Sequence, residues 1–85
     1  MITTWKKMID DLIKEECPME KIIYSTMTDK EMNKEFYSGF GMVEGIPFTA
    51  WSMRYVFFPV EYDGAEIVGK APRNICKEKC EHVGG

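Results

Sequence analysis

"RYVFFPVEYDGAEIVGKAPRN", residues 54–74, decides how this chain folds. Two β-prone runs flank Asp63-Gly64, the strongest short hairpin signal in the sequence. A strand sends alternate side chains to opposite faces. Here Val56, Phe58 and Val60 are apolar, and so are Tyr55, Phe57 and Pro59 between them. Both faces of a strand over about 54–62 therefore need cover.

The return strand, about 65–71, has two registers open to it. A two-residue type I′ turn sets Val60 opposite Ile67, but also Glu61 opposite Glu66. Like charges directly opposite destabilise a pair by about a few tenths of a kcal/mol. A three-residue turn with a glycine bulge pairs Phe58 with Val68 and Pro59 with Ile67 instead. Pro59 has no N–H, so the ladder must have a gap there, at an edge or a bulge.

Upstream of the hairpin, Trp5, Met8, Ile9, Leu12 and Ile13 recur at helical spacing, and every position between them is charged. This predicts a helix over about 4–16 with one buried stripe, capped by Thr3 or Thr4 and stopped by Pro18. Residues 18–27 read either as a short helical turn or as a strand, and the helical turn is preferred. Thr28 and Glu31 have capping-box spacing, with Met27 and Met32 placed as a hydrophobic staple. A second helix is expected over 29–38, ending at Gly39. Short strands are expected at 40–43 and 47–52. Pro72 should end the last strand, Asn74 can cap a short helix over 75–80, and Gly84-Gly85 should be loose. The fold class is thus α+β: an antiparallel three- to four-stranded meander packed on two helices in two layers, with a short C-terminal helical turn.

Eighty-five residues suit one domain, just above the size that usually needs a staple, a metal or a partner. The net charge of −3 argues against a dedicated binder of long nucleic acid. Residues 1–66 hold 7 basic and 12 acidic groups, and residues 67–85 hold 4 and 2, so the basic charge is concentrated near the C-terminus. The longest apolar run, Tyr55–Val60, is far short of the 20 or so residues of a membrane span. Three cysteines, an odd number, point to a reducing cytoplasmic setting.

Candidate chemistry is sparse. Cys76, Cys80 and His82 read C-x3-C-x-H, and Cys17 can complete a zinc set, but the spacing is poor for a zinc clip. Cys76 near Arg73, Lys77 and Lys79, with His82 as base, has the parts of a nucleophile but no third orienting group. Glu61 and Glu66, if opposed, can grip a cation or Arg54. Lys70 and Arg73 beside Trp51 and Tyr55 can take a small anionic or nucleotide ligand. No phosphate-loop, dinucleotide, nucleophile-elbow or zinc-protease motif occurs, so no cofactor and no catalytic residue is assigned. The leading expectation is a non-enzymatic interaction domain. Its two helices cannot easily cover both faces of the sheet: either a strongly curved sheet wraps its own core, or, as preferred, the second face, read as Trp51, Tyr55, Phe57 and Val68, packs on another copy as a homodimer.

Overall fold

The computed structural model of the chain describes residues 1–39 and 41–83. The elements run β1 (Ile2–Thr3), α1 (Trp5–Glu16), β2 (Tyr24–Ser25), α2 (Asp29–Met32), β3 (Phe36–Tyr37), β4 (Ala50–Trp51), β5 (Tyr55–Tyr62) and β6 (Ala65–Pro72). Among the described residues these form two helices, a two-stranded sheet β1-β3 and a four-stranded sheet β2-β4-β5-β6, all antiparallel. The fold is α+β in two layers, with α1 against one face of the larger sheet.

The β5–β6 hairpin takes the two-residue register. Asp63 and Gly64 have φ of 49° and 81°, the two positive values that a type I′ turn requires. Tyr62 pairs with Ala65, Glu61 with Glu66 and Val60 with Ile67, and the pairing runs on to Tyr55 with Pro72. The apposed glutamates do not shift it, because Glu66 is buried and its charge is met elsewhere. Its Oε2 accepts from the Glu44 N–H at 2.9 Å and its Oε1 from the Gly45 N–H at 2.9 Å. Two charge-assisted hydrogen bonds outweigh one exposed like-charge neighbour.

Pro59 is accommodated without loss. The Glu66 N–H points away from β5, to the Ser38 carbonyl, while that of Arg73 points towards it, to the Arg54 carbonyl. Even-numbered residues of β6 therefore face its outer edge, and Pro59, opposite Val68, faces away from β6. On that side β4 pairs only with Val56 and Phe57, so Pro59 lies beyond the ladder.

Helix α1 begins where Thr4 Oγ1 accepts from the Lys7 N–H. It ends at Cys17, whose N–H reaches the Ile13 carbonyl just before Pro18. Trp5 and Ile9 are buried, with Met8, Leu12 and Ile13 packed beside them. The Trp5 ring lies 4.7 Å from Phe36 and 4.9 Å from Phe48, and its Nε1 donates to the Ile46 carbonyl at 3.0 Å. Phe57 and Ala50 close this core from the sheet side.

Four expectations are corrected. Residues 18–27 form no helix, only a single turn closed by the Glu20 N–H to the Cys17 carbonyl at 2.8 Å. The Ile23 N–H bonds the Trp51 carbonyl and the Thr26 N–H the Thr49 carbonyl, which draws 24–25 into the sheet. The second helix does not run over 29–38. Its capping box forms, with Glu31 N–H to Thr28 Oγ1 and Thr28 N–H to Glu31 Oε1, but the helix stops after one turn at Asn33. No α2 residue is buried, whereas Phe36 gains a place against Trp5 by pairing with β1 as a strand. The strand expected over 40–43 is not formed at 41–43, and the one over 47–52 shrinks to Ala50–Trp51; Phe40 and the Gly84-Gly85 end lie outside the described residues. No helix forms over 75–80, where every residue is exposed and nothing offers an apolar stripe a surface. No helix among the described residues is long and apolar enough to cross a membrane.

Glu66→Gln should destabilise the fold by about 1–3 kcal/mol, because an amide cannot accept from both backbone N–H groups without turning a donor towards one of them. Urea denaturation followed by circular dichroism measures it, and an unchanged midpoint would show that the cradle around Glu66 contributes nothing.

Candidate functional site

The hairpin register sorts the larger sheet into two faces. On the inner face Ala50, Phe57 and Lys70 stand in one row across β4, β5 and β6, and Val68 lies opposite Pro59. Helix α1 packs here. On the outer face Tyr24, Trp51, Val56 and Ala71 form a row across all four strands. Phe58–Gly69, Val60–Ile67 and Tyr62–Ala65 continue it along the hairpin. No side chain in these four rows carries a charge.

Among the described residues this outer face is braced by its own neighbours rather than by a second layer. The Tyr24 and Trp51 rings lie 5.6 Å apart. The Phe58 ring lies across Gly69, so closely that a Cβ there would come within 2.7 Å of it. That contact lets an aromatic side chain shield a stretch of backbone. Trp51, Val56, Phe58, Val60 and Ile67 remain half-buried, and Tyr24 and Tyr62 keep 65% and 54% of their surface in solvent.

The four residues expected to form one interface do not share a face. Phe57 is completely buried, and Tyr55 and Val68 pack against the same core. Trp51 alone belongs to the outer face. Sequence reasoning missed Val56, Phe58, Val60 and Ile67 as its companions. The parity of the two-residue turn was the available signal, since Val60 opposite Ile67 places both on one side. The polar inner-face residues Glu61, Glu66 and Lys70 obscured it.

The basic residues near the C-terminus have partners. Lys70 Nζ sits 3.5 Å from Glu16 Oε1, 3.6 Å from Glu78 Oε2 and 4.4 Å from the centre of the Tyr55 ring. Burial alone would lower its pKa, but Glu78 and Glu16 together raise it. Tyr55 donates its hydroxyl to Glu78 Oε1 at 2.7 Å, and this bond raises the pKa of the phenol. Arg73 Nη1 reaches the Ser52 carbonyl at 2.7 Å. Trp51 lies on the opposite face from Lys70 and Tyr55, so the set Lys70, Arg73, Trp51 and Tyr55 does not converge on one pocket. An anion at Lys70 would have to displace two carboxylates.

Glu20 fixes the β4–β5 turn. Its Oε1 accepts from Ser52 Oγ at 2.7 Å and from the Arg54 N–H at 2.9 Å, and its Oε2 accepts from Arg54 Nε at 3.3 Å. Ser52 Oγ in turn accepts from the Tyr55 N–H. The Ser52 bond first, then the Arg54 N–H, holds the Glu20 pKa below the usual carboxylate value. Arg54 is thus engaged by Glu20 rather than by the Glu61 and Glu66 pair.

The sulfur and histidine candidates stay apart. Cys17 is buried at the end of α1, and Cys76 and Cys80 are exposed on the C-terminal segment. No group of three or more metal-ligating side chains comes together among the described residues. Cys76 lines a hollow with Arg54, Tyr55 and Asn74, and His82 lines a different one with Leu12 and Glu16. Burial first, then Glu20 and Glu16, pushes the Cys17 thiol pKa up against Lys70 and Arg54, which disfavours the thiolate a metal needs.

No protein-family model, curated protein or solved structure matches this chain.

Titration with a chromogenic disulfide should count Cys76 and Cys80 rapidly and Cys17 only on unfolding. Three equally fast thiols would contradict the burial of Cys17. Glu20 has a lowered native pKa, so its stabilisation is complete well above 4.5 and fades as pH falls through that value towards the native one. Glu20→Gln should therefore lower stability at neutral pH and flatten the acid limb of the pH–stability curve, measured by thermal unfolding across pH.

Proposed function

We propose that this chain is a non-enzymatic interaction module that pairs with a second copy of itself through the outer face of the β2-β4-β5-β6 sheet. One observation carries the reading: the four rows of this face hold no charged side chain, and the pair Arg54 and Arg73 comes only beyond their end. Solvent-facing sheet surfaces ordinarily alternate to polar residues. The eight residues of β5 span about 26 Å at about 3.3 Å each, and neighbouring strands add about 4.8 Å apiece. The patch is on the order of 300–400 Å2, within the range of the largest apolar patch on a typical monomer, which is often functional.

A second copy is the occupant that fits this chemistry. An uncharged face gives a charged partner nothing to read, whereas an identical face meets it without burying any ion. Two sheets can stack face to face at about 10 Å with their strands nearly aligned. Two-fold pairs are the commonest oligomers, and a small domain gains most from shared burial. The two patches together bury below about 1,200 Å2, the class of weak or transient complexes, so the dimer is expected to dissociate at micromolar concentration. We place it in the cytoplasm on the cysteine argument made from the sequence.

Sedimentation across about 1–100 μM should show a concentration-dependent rise from one chain mass to two. Val60→Lys should raise the dissociation constant at least about tenfold, with the circular dichroism unchanged. Met19→Lys, on an 89% exposed side chain outside the four rows, should leave the constant unchanged. A single-chain mass at every concentration overturns the proposal, and so does binding of the monomer to phosphatidylcholine vesicles, which would give the face to a lipid surface.

A further inference from the structure

The edge of β6 is a separate surface from the outer face, and something lies beside it. β6 is the last strand of its sheet, bonded to β5 on one side. Its even-numbered residues direct N–H and C=O towards the other side, as the Glu66 bond to Ser38 shows. An unpaired strand edge invites pairing with another chain, and proteins commonly cover it.

The C-terminal segment comes back beside this last strand, where residues 78–83 line a cleft together with Val68, Gly69 and Lys70. Residues 74–83 have no regular structure and every one of them is exposed, Ile75 completely. The last backbone bond to the body among the described residues is from Arg73 to Arg54. Beyond it the side-chain hydrogen bond and ion pair to the body, among the described residues, both belong to one residue. Glu78 accepts from the Tyr55 hydroxyl at 2.7 Å and sits 3.6 Å from Lys70 Nζ. From that point residues 78–83 form one wall of a cleft of about 350 Å3, whose other wall is Leu12 and Glu16 of α1 with Val68 and Lys70 of β6.

We propose that residues 74–83 are a strap, latched by Glu78 onto Tyr55 and Lys70, that closes the side of the sheet at the β6 edge and opens as a unit when the latch is released. The segment has no apolar anchor of its own: Ile75 points into solvent and Val83 stays more than half exposed. Lys70 is the fixed post. It is only 15% exposed and is held from the other side by Glu16, so releasing Glu78 leaves its charge still paired and the core undisturbed. Opening therefore separates cleanly from unfolding. It would uncover Val68 and Lys70 at the strand edge, so the latch controls whether that edge is available for strand pairing.

The test uses the full chain with Cys76→Ser and a nitroxide on Cys80. The label should broaden the methyl signals of Leu12 and Val68, which share the cleft with it. Glu78→Gln or Tyr55→Phe should each relieve most of that broadening while the melting temperature stays nearly constant. Loss of one charge-assisted hydrogen bond should raise the open fraction about tenfold. Tryptic cleavage after Lys77 and Lys79 should rise with it. In a double-variant cycle the two changes should be less than additive, because they remove the same latch. Absence of broadening in the parent chain overturns docking of the segment. Broadening that persists in Glu78→Gln overturns the latch.

Discussion

The two-residue turn at Asp63-Gly64 is the constraint on which the rest of the molecule depends. With a side-chain period of two, a one-residue slip would exchange the faces of β6 entirely. Val68 and Glu66 would leave the core side, and Ile67 and Gly69 would take their places. The positive φ values at both turn positions admit only one arrangement, and the cradle that Glu44 and Gly45 form around Glu66 locks it. Turn chemistry and a buried carboxylate thus agree on one register from opposite ends of the local structure.

The consequence is an asymmetric sheet. Its inner face mixes large apolar residues with Glu66 and Lys70, and each of these two charges is met by backbone or by carboxylates. The four rows of its outer face hold no charged side chain. A chain of this size has one long helix to offer, and Trp5 and Ile9 commit it to the inner side. The imbalance follows from supply: α2 is one turn with no buried residue, so no second helix among the described residues remains to cover the far side.

The sequence was most legible where a local rule sufficed. The amphipathic stripe of α1, its threonine cap, the capping box at Thr28–Glu31 and the Asp-Gly turn all follow from neighbours within four residues. Legibility failed where partners are distant. Phe36 leaves the helical pattern because Trp5, thirty-one positions earlier, gives it a buried site. Tyr24 and Ser25 become strand because β4 supplies hydrogen bonds. The candidate face was misread for a related reason: with apolar residues at successive positions of β5, only register separates core from surface, and the opposed glutamates left that register undecided. The fate of Lys70 was hidden too, since Glu16 and Glu78 reach it from opposite parts of the chain.

The two tryptophans have been divided between the layers. Trp5 is sealed in the core with its indole N–H bonded to Ile46, while Trp51 stands on the outer face beside Tyr24. Their emission is therefore two independent signals in one spectrum. The blue component follows the integrity of the interior, and the red component follows whatever comes to rest on the sheet. A quencher dissolved in the buffer would separate them without any label, because it can reach only one of the two rings.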